Sequence, residues 1–158
     1  MVEEIKERLS KTEYDKVGEM LLELIAECPY IPADLKNSPN IFYQSMGTGK
    51  CIGIMTLPGA KYVKKNVLGG FTAQVGFRVM YKSSPTNNLQ TINAQSTVDN
   101  IMGWLEDIDN LPSLSGGRTV TKITASNSFL DDIGDDKSTV FSADAVMEYE
   151  KKEDDPLF

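Results

Sequence analysis

Hydrophobic and polar residues alternate along residues 71–81 more regularly, and for longer, than anywhere else in the chain. Successive side chains of a β-strand point to opposite faces, so a period of two predicts a strand with one buried face. The residues predicted on the buried face include Phe71, Val75, Phe77 and Val79, and Arg78 is predicted on the opposite face. Because an apolar face needs a covering layer, we expect helices packed on one face of a sheet.

Two longer segments carry apolar residues at the spacing of an amphipathic helix. The first covers residues 13–27, and its stripe consists of Val17, Met20, Leu21, Leu24 and Ile25. Glu13 is assigned to the acidic residues outside this stripe, and Ser10 with Glu13 forms a capping box that predicts the start of the helix. The second helix is predicted over residues 88–108, with a stripe of Leu89, Ile92, Val98, Ile101, Met102, Leu105 and Ile108. A shorter helix is predicted over residues 2–9.

Several runs rich in β-branched and aromatic residues predict further strands. They cover residues 41–46, 51–57, 118–125 and 138–150, with a hairpin-like connection between the first two. Residues 126–137 are polar and are predicted to form a mobile loop. The order of elements predicts an α+β fold with a mixed, mainly antiparallel sheet and helices packed on one face. We expect a single domain over residues 1–150 and a charged, flexible tail over residues 151–158.

The chain of 158 residues has 23 acidic and 16 basic side chains, which gives a formal charge of −7. Nonspecific binding to nucleic acid depends on neutralising phosphates, so we do not expect it over most of the surface, and we predict no sequence-specific binding of nucleic acid. No segment is apolar enough to suggest a membrane span, and the N-terminus lacks the apolar run of a secretory signal. Disulfides are rare in proteins that are not secreted, so Cys28 and Cys51 are predicted to be reduced and structural.

No motif predicts a catalytic, cofactor-binding or metal site, and we expect that the protein is not an enzyme. Histidine, the commonest general base, is absent. Gly47-Thr-Gly-Lys50 resembles part of a phosphate-binding loop but lacks its other glycine, its Ser or Thr and its following helix. The acidic group Asp131, Asp132, Asp135 and Asp136 lacks the ligand spacing of a helix–loop–helix calcium site. Both segments are interpreted as exposed loops.

The most basic part of this acidic chain lies between Pro58-Gly59 and Gly69-Gly70 and contains Lys61, Lys64 and Lys65. Two interpretations stay open for this segment, namely a solvated hairpin tip or a contact surface for an acidic partner. In the second interpretation, the residues predicted at a subunit or partner interface are Lys61, Tyr62, Lys64, Lys65, Asn66 and Arg78.

A leading helix, a proline-broken crossing, a long strand, a second helix and a final long strand follow one another between residues 13 and 151. The crossing contains Cys28-Pro-Tyr-Ile-Pro32, the second helix contains Ile101-Met-Gly-Trp-Leu-Glu106, and the strands lie at 72–81 and 140–149. This succession resembles the tail terminator, or tail completion, proteins of long-tailed bacteriophages, including minor capsid proteins of phages of Gram-positive hosts. The resemblance rests on the pattern of elements, since no catalytic signature is involved.

The resemblance implies a structural protein of the virion, located at the head-proximal end of the tail and assembled in the host cytoplasm. It implies a homo-oligomeric ring, a hexamer, which caps the tail tube, stops its growth and presents a surface to the head connector. The implied partners are other copies of the chain, the tail tube protein, and the tail sheath or head connector protein. No cofactor is implied. Contractile tails and tail-like bacteriocins use similar proteins.

Two other functions stay open at the level of the sequence. A head completion or connector protein would share the small size, the acidity and the lack of motifs. A small intracellular enzyme or ligand-binding module would use a pocket between helix and sheet. A deep, polar-lined pocket with paired carboxylates of shifted pKa would favour this second alternative.

Overall fold

The computed structural model describes residues 7–35 and 41–152 of the chain. These residues form two α-helices and a seven-stranded sheet, together with short 3-10 turns. In chain order the elements are α1 (Lys11–Ala26), β1 (Ile41–Tyr43), β2 (Cys51–Thr56), β3 (Lys61–Lys65), β4 (Phe71–Ser83), α2 (Asn88–Glu106), β5 (Arg118–Ala125), β6 (Phe129–Ile133) and β7 (Thr139–Lys151). The predicted fold class, α+β with a mixed, mainly antiparallel sheet and helices on one face, is confirmed.

The centre of the sheet is the antiparallel pair β4 and β7. Their residues match without interruption from Phe71 opposite Lys151 to Ser83 opposite Thr139. β2 and β3 lie end to end along the other side of β4, and β5 and β6 lie end to end along the other side of β7. β1 extends the sheet beyond β2 as a parallel strand. The strand predicted from residues 71–81 is therefore one of the two central strands.

The core lies between the helices and one face of the sheet. Val75, Phe77 and Val79 are almost fully buried there, as predicted, whereas Phe71 is only half-buried near the end of β4. Arg78 lies on the opposite face, which is also as predicted, and faces Asp144 of β7. The burial of these alternating side chains is the main source of stability in a fold of this kind.

The helix α2 is more exposed at its ends than the sequence predicts. Its buried residues are Ala94, Val98, Ile101, Met102 and Leu105. Leu89 and Ile92 are 66% and 58% exposed, because they precede Ala94, the first residue of α2 that reaches the core. Ile108 lies beyond the helix in a 3-10 turn and is 44% exposed. The apolar stripe predicted over residues 88–108 is therefore wrong at both ends.

The connection between β1 and β2 is not the predicted hairpin, because the two strands are parallel. Gln44 has a φ of 58°, and its backbone turns the chain out of the sheet. Its side chain holds β2 by accepting from the backbone N–H of Thr56 at 2.9 Å and donating to the Thr56 hydroxyl at 2.8 Å. Met46 packs where a Cβ of Gly53 would stand, so the connection crosses one face of β2. Sequence alternation carries no signal for these contacts.

The mobile loop predicted over residues 126–137 contains the edge strand β6, so that prediction is wrong. β6 pairs with β7 and has a bulge near its middle, which interrupts the alternation by which a strand is recognised. The backbone N–H of Gly134 donates to the carbonyl of Ser138 at 2.8 Å and closes the β6–β7 turn. Asp136 accepts from the hydroxyl of Ser138 at 2.6 Å, and this hydrogen bond lowers the pKa of Asp136.

The helix predicted over residues 2–9 is wrong in its described part. Arg8 forms an antiparallel bridge with Lys61, and the backbone N–H of Tyr62 donates to the carbonyl of Glu7 at 2.8 Å. Glu7 and Arg8, which precede α1, therefore cover the outer edge of β3 at Lys61 and Tyr62. Residues 2–6 of the predicted helix and residues 153–158 of the predicted tail lie outside the described residues.

Candidate interaction surface

We define the β3–β4 hairpin as residues 61–74, because β3 pairs only with the first four residues of β4. This hairpin carries all of the predicted interface residues except Arg78, which lies further along β4. Its turn is closed by Asn66, whose backbone N–H donates to the carbonyl of Gly70 at 2.9 Å. The side-chain oxygen of Asn66 accepts from the backbone N–H groups of Leu68 and Gly70, each at 3.0 Å. Gly69 has a φ of 98°, a conformation that glycine adopts without strain. The side-chain oxygen of Asn66 is therefore used within the turn.

Tyr62 fixes the hairpin on the core. Its side chain is 6% exposed, and its ring meets Phe71 edge to face with 5.1 Å between the centroids. Its hydroxyl accepts from the backbone N–H of Ser10 at 3.3 Å and donates to the Ser10 hydroxyl at 3.2 Å. A buried tyrosine ring whose hydroxyl has hydrogen-bond partners can anchor a strand on the core. Tyr62 thus lies beneath the exposed surface of the hairpin and supports it.

The lysines of the hairpin have different surroundings. The Lys65 Nζ lies 2.9 Å from a carboxylate oxygen of Glu7 and 4.1 Å from the centre of the Tyr62 ring. Lys61 is half-buried and Lys64 is exposed, and neither has an ion-pair partner among the described residues. Lys64 therefore offers the ammonium group that is most available to an acidic partner.

The turn of the hairpin exposes two aliphatic side chains that the interpretation of the sequence missed. Val67 is 100% exposed and Leu68 is 56% exposed. Adjacent aliphatic side chains that project into solvent are typical of a contact surface, whereas single ones are common everywhere. The signal in the sequence is a Val-Leu pair between Asn66 and Gly69, where turn residues are usually polar. We call Val67 and Leu68 the hairpin tip.

Arg78 lies apart from the hairpin, within an ion-pair cluster on the opposite face of the sheet. Its Nε and Nη2 donate to the two carboxylate oxygens of Asp144 at 2.7 and 3.2 Å, and its Nη1 lies 3.6 Å from Asp131. The guanidinium also lies 5.2 Å from the centre of the Phe129 ring. The hydrogen bond to Asp144 raises the pKa of Arg78. Arg78 therefore ties β4, β6 and β7 together, and the structure does not bring it near the lysines.

A buried charge cluster connects α1 to the sheet. Glu13 is 5% exposed and Arg118 is 7% exposed. Arg118 donates to both carboxylate oxygens of Glu13, with Nε at 2.9 Å from Oε2, and the Tyr149 hydroxyl donates to the same oxygen at 2.6 Å. Burial raises the pKa of Tyr149 far above its ordinary value, and the hydrogen bond to Glu13 acts in the same direction. The hydrogen bond to Glu13 raises the pKa of Arg118.

The prediction that Glu13 lies outside the apolar stripe of α1 is wrong. Glu13 precedes Val17 by about one helical turn, so the two side chains share a face of the helix. That spacing is the signal in the sequence that identifies a buried carboxylate. The partners Arg118 and Tyr149 are distant in the chain, and no local pattern predicts their pairing with Glu13.

Two grooves flank the hairpin. One has a volume of about 610 Å³, lies against the residues before α1 and contains Glu7 as its one carboxylate. The other has a volume of about 430 Å³, lies at the base of β4 and β7 and contains Glu150 as its one carboxylate. Neither of these two grooves brings two carboxylates together, whereas another groove of about 480 Å³ beside α2 contains both Asp99 and Asp107.

Within residues 7–35 and 41–152, no group of three or more acidic or cysteine side chains is placed to hold a metal ion. In the same part of the chain, no helix combines the length and the apolar character needed to cross a bilayer. Cys28 and Cys51 are both buried, and they form no disulfide within the described residues.

Comparison with known proteins gives a structural likeness without a sequence match. No protein-family model matches the chain, and no curated protein matches it. The fold is similar to that of a chain in the virion of a native gene transfer agent particle, with a TM-score of 0.58 and 13% identity. The similarity covers 85% of this chain and 97% of that chain. A second solved structure, with 11% identity over 93% of this chain and 99% of its own, has a TM-score of 0.48 and carries no argument.

Proposed function

We propose that this protein is a structural component of a virion and acts there as a tail terminator. The observation that carries the proposal is the fold that it shares, over 97% of the other chain, with a protein of the gene transfer agent virion. The finer role is supported by the order of elements between residues 13 and 151, which resembles that of the tail terminators. Head-proximal placement on the tail follows from that role.

In the proposed role, copies of the chain form a hexameric ring that caps the tail tube. The hairpin tip supports self-assembly, because a neighbouring subunit would remove the exposed side chains of Val67 and Leu68 from water. The tail tube protein and the head connector or tail sheath protein are the other proposed partners. A formal charge of −7 suits a ring through which DNA passes, since acidic protein surface does not retain phosphate.

The proposed role is not enzymatic. The carboxylate of Glu13 is the most conspicuous buried acidic group in the described chain, and it is bonded to Arg118 and Tyr149 within the core. Its position gives it the role of joining α1 to β5 and β7. The exposed features of the hairpin, by contrast, suit contact with another protein.

Deletion of the gene that encodes this chain, followed by electron microscopy of the particles produced, tests the proposal. Without a terminator, tail tubes should grow to variable lengths, and expression of the wild-type chain should restore a uniform length in electron micrographs. A head completion or connector protein would instead leave detached tails of normal length. Normal particles in the absence of the chain would contradict both structural roles and favour the enzyme alternative.

Localisation gives a second, independent measurement. Gold-labelled antibody against the chain should mark the head-proximal end of purified tails. Labelling along the whole tail, at its distal end or on the head alone would contradict the proposed role.

A further inference from the structure

The sheet exposes a second hairpin, β6–β7, at the corner diagonally opposite the β3–β4 hairpin. β3 lies beyond β4 and β6 lies beyond β7, so the two short strands lie at opposite edges. β3 pairs with the part of β4 that contains Ala73. β6 pairs with the part of β7 that contains Phe141, and Phe141 lies opposite Tyr81 of β4. Ala73 and Tyr81 are eight residues apart on β4, or about 27 Å at the usual rise of a strand.

The two hairpins carry opposite charge. Residues 58–70 contain Lys61, Lys64 and Lys65 and no acidic residue, whereas residues 129–137 contain four aspartates and one lysine. Asp131 and Asp136 are bonded within the chain, to Arg78 and Ser138. Asp132 and Asp135 are exposed and have no partner among the described residues. Free carboxylates at one corner of the sheet thus match free ammonium groups at the other.

Both hairpins also expose aliphatic side chains. On β6, Leu130 is 49% exposed and Ile133 is 62% exposed, beside the free carboxylate of Asp132. The hairpin tip places Val67 and Leu68 beside the lysines in the same way. β3 and β6 each contain a bulge that interrupts the regular hydrogen bonding of an edge strand. Contact through side chains is therefore favoured over continuation of the sheet.

We propose that the β3–β4 hairpin of one copy docks on the β6–β7 hairpin of the next copy. This inference deepens the proposed ring and rests on that function. Two complementary surfaces on opposite sides of one subunit make a head-to-tail contact, and such a contact closes into a ring when its rotation permits. The aliphatic side chains form the centre of the contact, and the lysine–aspartate pairs set its orientation.

The strongest competing acceptor is the end of α2, where Glu106, Ile108 and Asp109 also combine acidic and exposed aliphatic side chains. It offers a single exposed aliphatic residue, whereas β6 offers Leu130 and Ile133. We therefore assign the acceptor to β6–β7 and use the end of α2 as the matched control.

Engineered cysteines test the contact directly in the full chain. A variant with both Leu68→Cys and Ile133→Cys should form, on mild oxidation of assembled protein, a ladder of disulfide-linked oligomers that a reducing agent collapses to monomer. The native thiols do not compete, because Cys28 and Cys51 are each 1% exposed. Each single variant should give no ladder, since a head-to-tail contact joins unlike positions.

The control variant combines Leu68→Cys with Ile108→Cys and should give no ladder. A ladder in this control and none with Ile133→Cys would overturn the assignment in favour of the end of α2. Efficient dimerisation of Leu68→Cys alone would also overturn it, because it would show that two hairpin tips meet.

Charge exchange provides a test that needs no cysteine. Lys61→Glu with Lys64→Glu, and separately Asp132→Lys with Asp135→Lys, should each weaken self-association about tenfold or more in sedimentation velocity. The variant with all four changes should recover most of the affinity. Equal weakness of the fourfold variant and either double variant would overturn the pairing, and circular dichroism checks that each variant is folded.

The two proposals fail in distinguishable ways. Uniform tails that require the chain, without a ladder between positions 68 and 133, would overturn the docking and leave the terminator role standing. A ladder from a chain that is absent from tails would support the contact and contradict the terminator role.

Discussion

Glu13 has two roles at the start of α1, one in the backbone and one in the side chain. Its backbone N–H donates to the Ser10 hydroxyl at 3.2 Å, which is half of the capping box that the sequence predicts. In the usual capping box, the glutamate side chain also accepts a hydrogen bond from the backbone N–H of the cap residue. Here the Tyr62 hydroxyl accepts from that N–H, so the Glu13 carboxylate is free to bind Arg118 in the core.

The substitution Glu13→Ala should be strongly destabilising, because it leaves the Arg118 guanidinium buried without its counter-charge. Removal of one partner from a buried ion pair costs about 3–5 kcal/mol. The control is Glu19→Ala on the same helix, where the exposed pair with Lys16 contributes less than about 1 kcal/mol. Urea unfolding measures both changes. A loss below about 1 kcal/mol for Glu13→Ala would show that water reaches Arg118.

The pH dependence of stability should report the raised pKa of Tyr149. An unfolded tyrosine ionises above about pH 10, whereas the folded Tyr149 keeps its proton. The unfolded state then binds fewer protons, so the contribution of Tyr149 is complete below about pH 10 and decreases as the pH rises further.

The substitution Tyr149→Phe isolates this effect. Loss of the hydrogen bond to the Glu13 carboxylate should destabilise by about 1.5–3 kcal/mol at neutral pH. The difference in unfolding free energy between wild type and variant should stay constant up to about pH 9.5 and shrink above it. Parallel curves up to pH 11 would mean that Tyr149 ionises as readily in the folded state as in the unfolded one.

At the scale of the element, β4 divides its side chains between a buried face and a face of mixed character. Phe77 is 1% exposed against the core, and its neighbour Gly76 lies opposite Val146, which is 42% exposed on the other face. The alternation of residues 71–81 thus sets both the position and the orientation of the strand. The same alternation on β7 fixes the register of the central pair.

The substitution Phe77→Ala should destabilise by about 3–5 kcal/mol, because it opens a cavity in the core. Val146→Ala, an aliphatic truncation on the other face, should cost less than about 1 kcal/mol, because that side chain is already in contact with solvent. Denaturant unfolding of the two variants measures the difference. Similar losses would mean that the two faces of the sheet are not distinguished as described.

The sequence predicts the elements whose signal is local. β4, β7 and the body of α2 follow from periodicity, and the start of α1 follows from Ser10 and Glu13. It does not predict the parallel pairing of β1, which depends on the hydrogen bonds of Gln44 to Thr56. It also does not predict β6, whose bulge removes the alternation.

The candidate surface was predictable to a similar extent. The concentration of lysines in residues 61–68 identifies the hairpin, since charge can be read directly from composition. The ion pair between Lys65 and Glu7 and the burial of Tyr62 depend on the chain before α1, which carries no strand signal. Arg78 is basic like the lysines, but strand pairing places it beside Asp144 instead.

For the whole molecule, the important property is the separation of unlike surfaces. The excess of acidic residues is distributed over the chain, while Lys61 and Lys64 lie at one corner of the sheet and Asp132 and Asp135 lie at the opposite corner. Such polarity favours open or cyclic head-to-tail assembly over a two-fold dimer, in which each surface would meet its own copy. It also gives the encounter of two copies a preferred orientation.

Self-association of the wild-type chain should therefore weaken as ionic strength rises from about 0.05 to 0.5 M. Exposed charge pairs are screened over a Debye length that falls to about 10 Å at 0.1 M salt and shortens further above it. The proposed contact between Val67, Leu68, Leu130 and Ile133 is apolar and would not be screened, so part of the affinity should remain at high salt. Sedimentation velocity across a salt series measures how the association constant changes with salt concentration.

The variant Lys61→Gln with Lys64→Gln should associate more weakly at low salt, and its association constant should change less with salt concentration. Association that strengthens with salt in the wild type would show that apolar contact alone joins the subunits.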